Sequence, residues 1–462
     1  MINLIELKQN SMRIFGLKQE GLFTNRMISN LLFPILIEQI MIVAIGIADI
    51  MMIAHVSETA VAGISFITTF DNLIKKLISA LAIGGSIVIS QYIGKNELKS
   101  ANKAMKMAFY SIFSFASFAC LILFIFQKPF LTLLTGNIEA DVMRNAKTYF
   151  SLSLFSYPFF AAYYVASASF RAMCKSKISM ISLLIMMAMN LILKAILIYV
   201  FKLGVLGAGV STLFSVVFVG TVMTVMMCMP LNPVHIEKFF YIKFDFTMIK
   251  RIFKIGIPNS IENGMFQFGL LILQRLTASF GTASIAANAI VKSVSPISFT
   301  VAGSYALAIV TIVGQCMGAG KTDQAVIYTK HILKTNYIIA LFINLGCIVY
   351  NHQLIGMFNL SQEASSLASS VFYVYCIGAI FFYPTSFVLP NALRASGDTK
   401  FTMTASMATM FGARIGMAFV LGKYMNMGLF GVWLAMQLDW AIRSVLFIFR
   451  FKKGKWKEIK VI

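Results

Sequence analysis

Five acidic residues fall inside long apolar stretches of this 462-residue chain: Glu38, Asp49, Asp71, Glu262 and Asp439. Seven bases, Lys75, Lys76, Lys194, Arg275, Lys292, Arg414 and Arg443, fall in the same kind of surroundings. An ionisable side chain held in hydrocarbon is costly, so it binds an ion, relays a proton, holds a substrate or pairs with a neighbour. Asp49 sits in the middle of its stretch and leads the candidates for ion or proton coupling. Glu38 precedes it by eleven residues, which on a helix puts the two about 20° apart around the axis and about 16 Å apart along it. They share one face. Asn190 and Lys194, and likewise Asp71 and Lys75, stand at i, i+4 and so also share faces. Asp71 and Lys75 can satisfy each other within one helix, whereas Lys76 has no obvious partner and calls for a wet cavity.

The elements that position these residues follow from composition. Hydrophobic residues make up 59% of the chain and charged residues 12%, against about 45–50% and about 25% in soluble domains. Apolar stretches of the roughly 20 residues needed to span a bilayer recur from Met27 nearly to the end. The fold class expected is an all-α polytopic membrane protein. Spans are predicted near 27–54, 59–93, 104–127, 143–170, 178–201, 204–229, 255–280, 284–317, 325–350, 365–391, 401–422 and 427–449. The first stretch contains Pro34, Glu38 and Asp49 and lacks a cleavage signature, so it reads as a retained span.

The formal charge of +22 would suggest nucleic acid in a soluble protein. Here the Lys and Arg residues gather in the two tails and in alternate loops, as at Lys95/Lys99/Lys103, Arg171/Lys175/Lys177, Lys238 to Lys254 and Arg450 to Lys460. That distribution sets topology, with both ends of the chain on the cytoplasmic side, and no nucleic-acid partner is expected. Cys120, Cys174, Cys228, Cys316, Cys347 and Cys376 are scattered and form no CxxC pair, so neither a disulfide framework nor a zinc site is indicated.

An internal repeat organises the whole chain. Pro34-x-x-Ile37-Glu38 recurs as Pro258-x-x-Ile261-Glu262, an offset of 224 residues. The same offset pairs Gln91 with Gln315, Gly94 with Gly318, Gly204 with Gly428 and Gly207 with Gly431, and an offset of 223 pairs Arg171-Ala172 and Lys177 with Arg394-Ala395 and Lys400. Asp49, by contrast, pairs with Leu273, so its role is not one both halves need. Glu38 and Glu262 each follow a proline by one turn, which fits a symmetric structural role, in satisfying donors freed by the proline, as well as it fits chemistry. The expected organisation is a cytoplasmic tail over 1–26, a six-helix lobe over 27–230, a cytoplasmic linker over 231–254, a second six-helix lobe over 255–449 and a basic cytoplasmic tail over 450–462. An even number of spans per repeat predicts a pseudo-twofold axis along the membrane normal.

Pro34 with Asp49 in IADIMMIAHV, SIVISQYIG at 86–94, GVLGAGVST at 204–212, IVGQCMGAG at 312–320 and LRASGDTK at 393–400 together resemble the multidrug and toxic compound extrusion (MATE) transporters, over nearly the whole chain. The resemblance implies twelve helices in two lobes and export of organic compounds in exchange for protons or sodium ions. It implies that Asp49 binds the coupling ion. In DinF-like members an Asn and, four residues later, an Asp on the fifth helix join a Thr on the sixth; Asn190 and Thr212 match this pattern, and Lys194 replaces the Asp. Lys194 is then either a tethered cation paired with Asp49 in one state, or a lysine reaching the outer headgroups. NorM-like members use acids on the seventh and tenth helices for sodium. Here the tenth span has no acid between Glu363 and Asp398, and Glu262 comes one turn early. In its charged residues the chain is therefore closer to DinF-like than NorM-like members, and proton coupling is expected ahead of sodium.

Glu38, Asp71, Lys75, Lys76, Glu262 and Lys292 complete the candidates for lining a substrate cavity. The 29 Met and 42 Phe residues suit adaptable apolar binding, although lipid contact and helix packing account for most of them. Gly320-Lys321-Thr322 lacks the earlier Gly of a phosphate-binding loop, because Gln315 stands there. His55, His235, His331 and His352 are dispersed. No enzyme chemistry, cofactor or metal is indicated. The expected protein is a monomeric exporter of small organic, cationic or amphipathic compounds in a bacterial plasma membrane. The rivals are a flippase for a lipid-linked saccharide, an exporter of anionic or zwitterionic metabolites, and an intramembrane enzyme.

Overall fold

The computed structural model describes residues 21–462 apart from 55–57, 136–138, 242 and 359, and gives backbone only for 45–51, 53–54, 58–62, 66 and 133–135. The first repeat contributes helices α1 (Asn25–Ala54), α2 (Glu58–Gly94), α3 (Leu98–Ile125), α4 (Gln127–Thr135), α5 (Ala140–Ala172), α6 (Ser176–Ala195) and α7 (Gly204–Cys228). The second contributes α8 (Phe246–Ala278), α9 (Thr282–Val294), α10 (Pro296–Gly318), α11 (Thr322–Val349), α12 (Asn351–Gly356), α13 (Gln362–Tyr383), α14 (Leu389–Ala395), α15 (Thr399–Ala408) and α16 (Gly428–Lys453). Wider π turns extend α6 over Ile196–Val200, join α13 to α14 over Pro384–Val388, and carry the chain on from α15 over Thr409–Gly416 and Ala418–Tyr424.

The protein is an all-α, multi-pass membrane protein, and its helices follow the expected spans closely. One difference lies at 284–317, where Pro296 removes a backbone donor and starts a new helix, so that α9 and α10 replace a single span. Among the described residues ten helices are long and apolar enough to cross a bilayer. Helices α5 and α8, of 33 residues each, are long enough but too polar to join them. For α5 the cause is enclosure. It packs against α2, α3 and α7 and buries Ser153, Ser156, Ser167, Ser169, Tyr157 and Tyr163, so the polarity of its sequence is spent on protein neighbours. The outward face of α3 is the opposite case, with Phe118 62% and Ile125 63% exposed alongside Phe115 and Leu121. An apolar stripe of that kind belongs against lipid tails.

The chain divides into two compact units, one comprising 33–260 and the other comprising the segment up to 32 together with 261–462. The boundaries fall beside Pro34 and Pro258. In the first unit the opening turns of α8 pack closely on α2: a Cβ on Gly84 would lie 2.7 Å from Gly256 Cα, and Asn259 Nδ2 donates to the Ala80 carbonyl at 3.1 Å. In the second unit the segment ahead of α1 docks on α11, where the Phe23 N–H donates to Tyr328 Oη at 2.9 Å and Tyr328 donates back to the Phe23 carbonyl at 2.8 Å. This unit has two apolar clusters, one with Val291, Phe372, Tyr375, Trp433 and Trp440 and the other with Leu273, Leu276, Met410, Ile415 and Val432. Beyond α16 the basic segment folds back: Trp456 is 1% exposed and stacks on Phe451.

The duplication extends to backbone geometry that residue identity conceals. Asn96 and Gly320, Cys174 and Gly397, Lys202 and Asn426, and Gly204 and Gly428 all have positive φ, and each pair is separated by 223 or 224 residues. Gly397, at φ 101°, lies where a side chain is strongly disfavoured, whereas Cys174, at 58°, occupies the left-handed helical region that L residues tolerate at a cost. The short helices α4 and α12 also begin 224 residues apart, each with a buried amide. Gln127 Nε2 donates to the Lys147 carbonyl at 3.1 Å and to Ser151 Oγ at 2.6 Å, and Asn351 Nδ2 donates to the Ser369 carbonyl at 3.1 Å.

Candidate ion-coupling site and buried charges

Helices α6 and α7 bring two of the expected coupling residues together. Asn190 Nδ2 donates to Thr212 Oγ1 at 2.9 Å, and Thr212 Oγ1 donates to the Ala208 carbonyl at 3.0 Å, which aims its lone pairs at the amide. Asn190 Oδ1 is buried and accepts no hydrogen bond among the described residues. One turn further along α6, Lys194 is 1% exposed and is one of the largest fully buried side chains. It does not extend to a headgroup region but is enclosed by its own unit. Asp49 lies on α1, and its side chain is outside the described residues.

Glu38 is buried against Arg171 of α5, whose Nη1 stands 3.1 Å from Oε1 and 3.4 Å from Oε2. The same nitrogen reaches Ser167 Oγ at 2.7 Å and Ser179 Oγ at 3.1 Å. The second repeat reproduces this arrangement: Arg394 Nη2 is 2.5 Å from Glu262 Oε1, and Arg394 Nη1 donates to Asn391 Oδ1 at 2.9 Å. Both halves of each pair were visible as separate repeat matches. What identifies them as partners is the shared offset combined with opposite charge, a signal present in the sequence and passed over.

Asp71 of α2 is 2% exposed. Its closest partner is Tyr157 of α5, whose hydroxyl donates to Oδ1 at 2.6 Å, while Lys75 Nζ stands 4.0 Å from Oδ2 and 4.6 Å from the centre of the Phe160 ring. The intrahelical pair is thus present but secondary, and Tyr157 carried no sequence signal. Lys76 and Lys292 are exposed on their own units and make no ion pair among the described residues.

A further charged cluster involves residues expected only as polar inventory. Asp439, fully buried on α16, accepts from Arg443 Nη2 at 3.0 and 3.2 Å. Arg443 also reaches Thr409 Oγ1 at 3.3 Å and lies over the Phe387 ring at 5.4 Å. Arg414, on the π turn after α15, is 3.9 Å from Asp439 Oδ2 and 5.4 Å from the centre of the Phe266 ring. Two guanidinium groups thus share one carboxylate. Among the described residues no three His, Cys, Asp or Glu side chains converge as metal ligands would.

Comparison with known proteins bears on what such a scaffold is. The MatE family model matches the chain twice, over residues 34–196 and 258–420, which reproduces the offset of 224. The chain is 26% identical to a Thermotoga maritima protein named "Probable multidrug resistance protein NorM", over 94% of this chain and 93% of that one. It is 22% identical to the Staphylococcus aureus "Multidrug export protein MepA", over 79% and 80% of the two chains. Among solved structures, a mutant of the Vibrio cholerae MATE transporter VcmN superposes with a TM-score of 0.87 at 16% identity, covering 97% of this chain and all of that one. A Pyrococcus furiosus transporter of the MOP superfamily gives 0.84 at 17% identity, covering 94% and 96%. Matched in both of its repeats over most of its length, the chain belongs to the MatE family of membrane transporters.

Proposed function

We propose that the protein is a secondary active multidrug exporter, moving organic cationic or amphipathic compounds out of a bacterial cell by alternating access coupled to proton antiport. Relatives named as multidrug resistance and export proteins support the export reading. The observation that carries the coupling site is the Asn190–Thr212 hydrogen bond, which leaves the Asn190 carbonyl oxygen buried and unused beside the enclosed Lys194. An orphaned acceptor of this kind is costly unless a proton, ion or water visits it.

In this reading Asp49 exchanges the proton and Lys194 pairs with it in one conformational state, as a tethered cation where relatives bind a mobile one. The coupled proton drives transport only by binding one state better than the other. The charged residues support a DinF-like placement within the family, with no sodium site in the second repeat, and both ends of the chain lie in the cytoplasm.

The test is export of a fluorescent organic cation from proteoliposomes under an imposed pH gradient or an imposed sodium gradient. The expected result is export under the pH gradient alone, reduced at least tenfold in Asp49→Asn and with its pH dependence altered in Lys194→Leu. Export driven by sodium, or an Asp49→Asn protein that still couples to the pH gradient, would overturn the proton reading. No cation export under either gradient would favour an anionic or lipid-linked substrate.

A further inference from the structure

The repeat gives Arg414 a definite counterpart. With the offset of 224 that relates the two family matches, Arg414 of the second repeat occupies the position held by Asn190 in the first. The position that supports the coupling site in one half of the molecule thus carries a permanent positive charge in the other.

The surroundings of Arg414 leave that charge undercompensated. Asp439 already receives two contacts from Arg443 at 3.0 and 3.2 Å, whereas Arg414 stands off at 3.9 Å. No hydrogen bond among the described residues reaches Arg414, and its Nε is buried without a partner. The residue is 8% exposed, so the group is enclosed yet reachable. Two guanidinium groups on one carboxylate leave a net charge of about +1 in a low-dielectric setting, a costly arrangement unless an anion completes it. Lys292 lies within Coulombic range of Arg414 and adds positive charge. The Phe266 ring covers the guanidinium face at 5.4 Å, which leaves its planar edge for a ligand. A π turn carries Arg414, and such turns recur where a helix is opened for binding.

We propose that Arg414 is the anchor of an anion-recognition site in the second repeat, taking the carboxylate or sulfonate group of an amphipathic transported compound, zwitterions included. The planar fork of arginine matches a carboxylate in two parallel hydrogen bonds, and the neighbouring aromatic rings accept the apolar body. The proposal deepens the export reading, on which it rests for the identity of the ligand as a transported compound.

Equilibrium dialysis of the purified full-length protein in dodecyl maltoside, with no gradient present, tests it. The probes are 2-naphthoate and the 2-naphthyltrimethylammonium ion, which share a ring system and differ in charge. Naphthoate binds wild type, binds Arg414→Gln and Arg414→Met at least tenfold more weakly, and binds Arg414→Lys with intermediate affinity; affinity for the ammonium probe is unchanged in all three. Either neutral variant suffices, provided that it elutes monodisperse. No naphthoate binding to wild type, equal binding to a neutral variant, or parallel loss of both probes would overturn the assignment. Complete displacement by equimolar chloride would also overturn it, by assigning the site to a free inorganic anion. Because binding is read without transport, failed export with intact naphthoate binding would remove the transport reading and leave the anion site standing.

Discussion

Glu38 and Arg171, both nearly enclosed, form a pair whose value lies in the balance of charge. Removing one partner strands the other in a region that cannot hydrate it, and such losses cost about 3–5 kcal/mol. Glu38→Gln is therefore expected to lower the thermal stability of the detergent-solubilised protein strongly. The double variant Glu38→Gln/Arg171→Met should recover most of the loss, because apolar replacement of both partners removes the buried charge altogether. If the double variant were no more stable than the single one, the pair would be more than a buried structural bridge. Glu262 and Arg394 are predicted to behave in the same way, since their geometry repeats the first pair.

At the scale of the elements, the linker and the start of α8 are organised by one exposed acid. Asp245 Oδ1 accepts from the Thr247 and Met248 N–H groups at 2.9 and 3.1 Å, capping α8, while Oδ2 lies 2.6 Å from Lys103 Nζ on α3. The Lys103 ammonium, followed by the Met248 N–H, holds the Asp245 carboxyl below its ordinary range. A lowered folded-state pKa means that the unfolded chain takes up the proton first, so this contribution is complete above about pH 4 and is lost as pH falls through and below that value. Asp245→Asn keeps a capping oxygen but loses the ion pair. It should lower stability at pH 7 by about 1 kcal/mol or less, and the difference from wild type should vanish in thermal melts near pH 3. A difference that persisted at pH 3 would mean that the ion pair is not its source. The linker is further held to α3 by Lys106 Nζ, which donates to the carbonyls of Glu237, Lys238 and Tyr241 at 3.0, 2.9 and 2.8 Å.

At the scale of the whole molecule, the duplicated backbone turns and the alternating basic loops lead to one topological expectation. In a cysteine-free background, Lys99→Cys, Lys177→Cys and Lys400→Cys should react with a membrane-impermeant maleimide only from the cytoplasmic side. Lys202→Cys and Lys423→Cys should react only from outside. Labelling of Lys177→Cys and Lys400→Cys from opposite sides would contradict parallel insertion of the two repeats, whereas shared labelling is what an even number of spans per repeat requires.

Much of this protein was legible in one dimension, because the bilayer imposes a coarse and local constraint. A span needs length and apolarity, both of which can be read directly, and a repeat needs only self-comparison. The helix boundaries, the duplication and the Asn190–Thr212 match therefore follow from residues alone. The polarity of α5 and the break at Pro296 mark where that reading weakens, since enclosure by protein replaces lipid in the first case and a lost donor divides a span in the second. Partner choice was decided only in three dimensions. That Asp71 meets Tyr157 rather than relying on Lys75, that Lys194 is enclosed, and that Asp439 leaves Arg414 short of charge all depend on distances between helices far apart in sequence. Periodicity fixes which face of a helix a residue occupies, but only packing determines what that face meets.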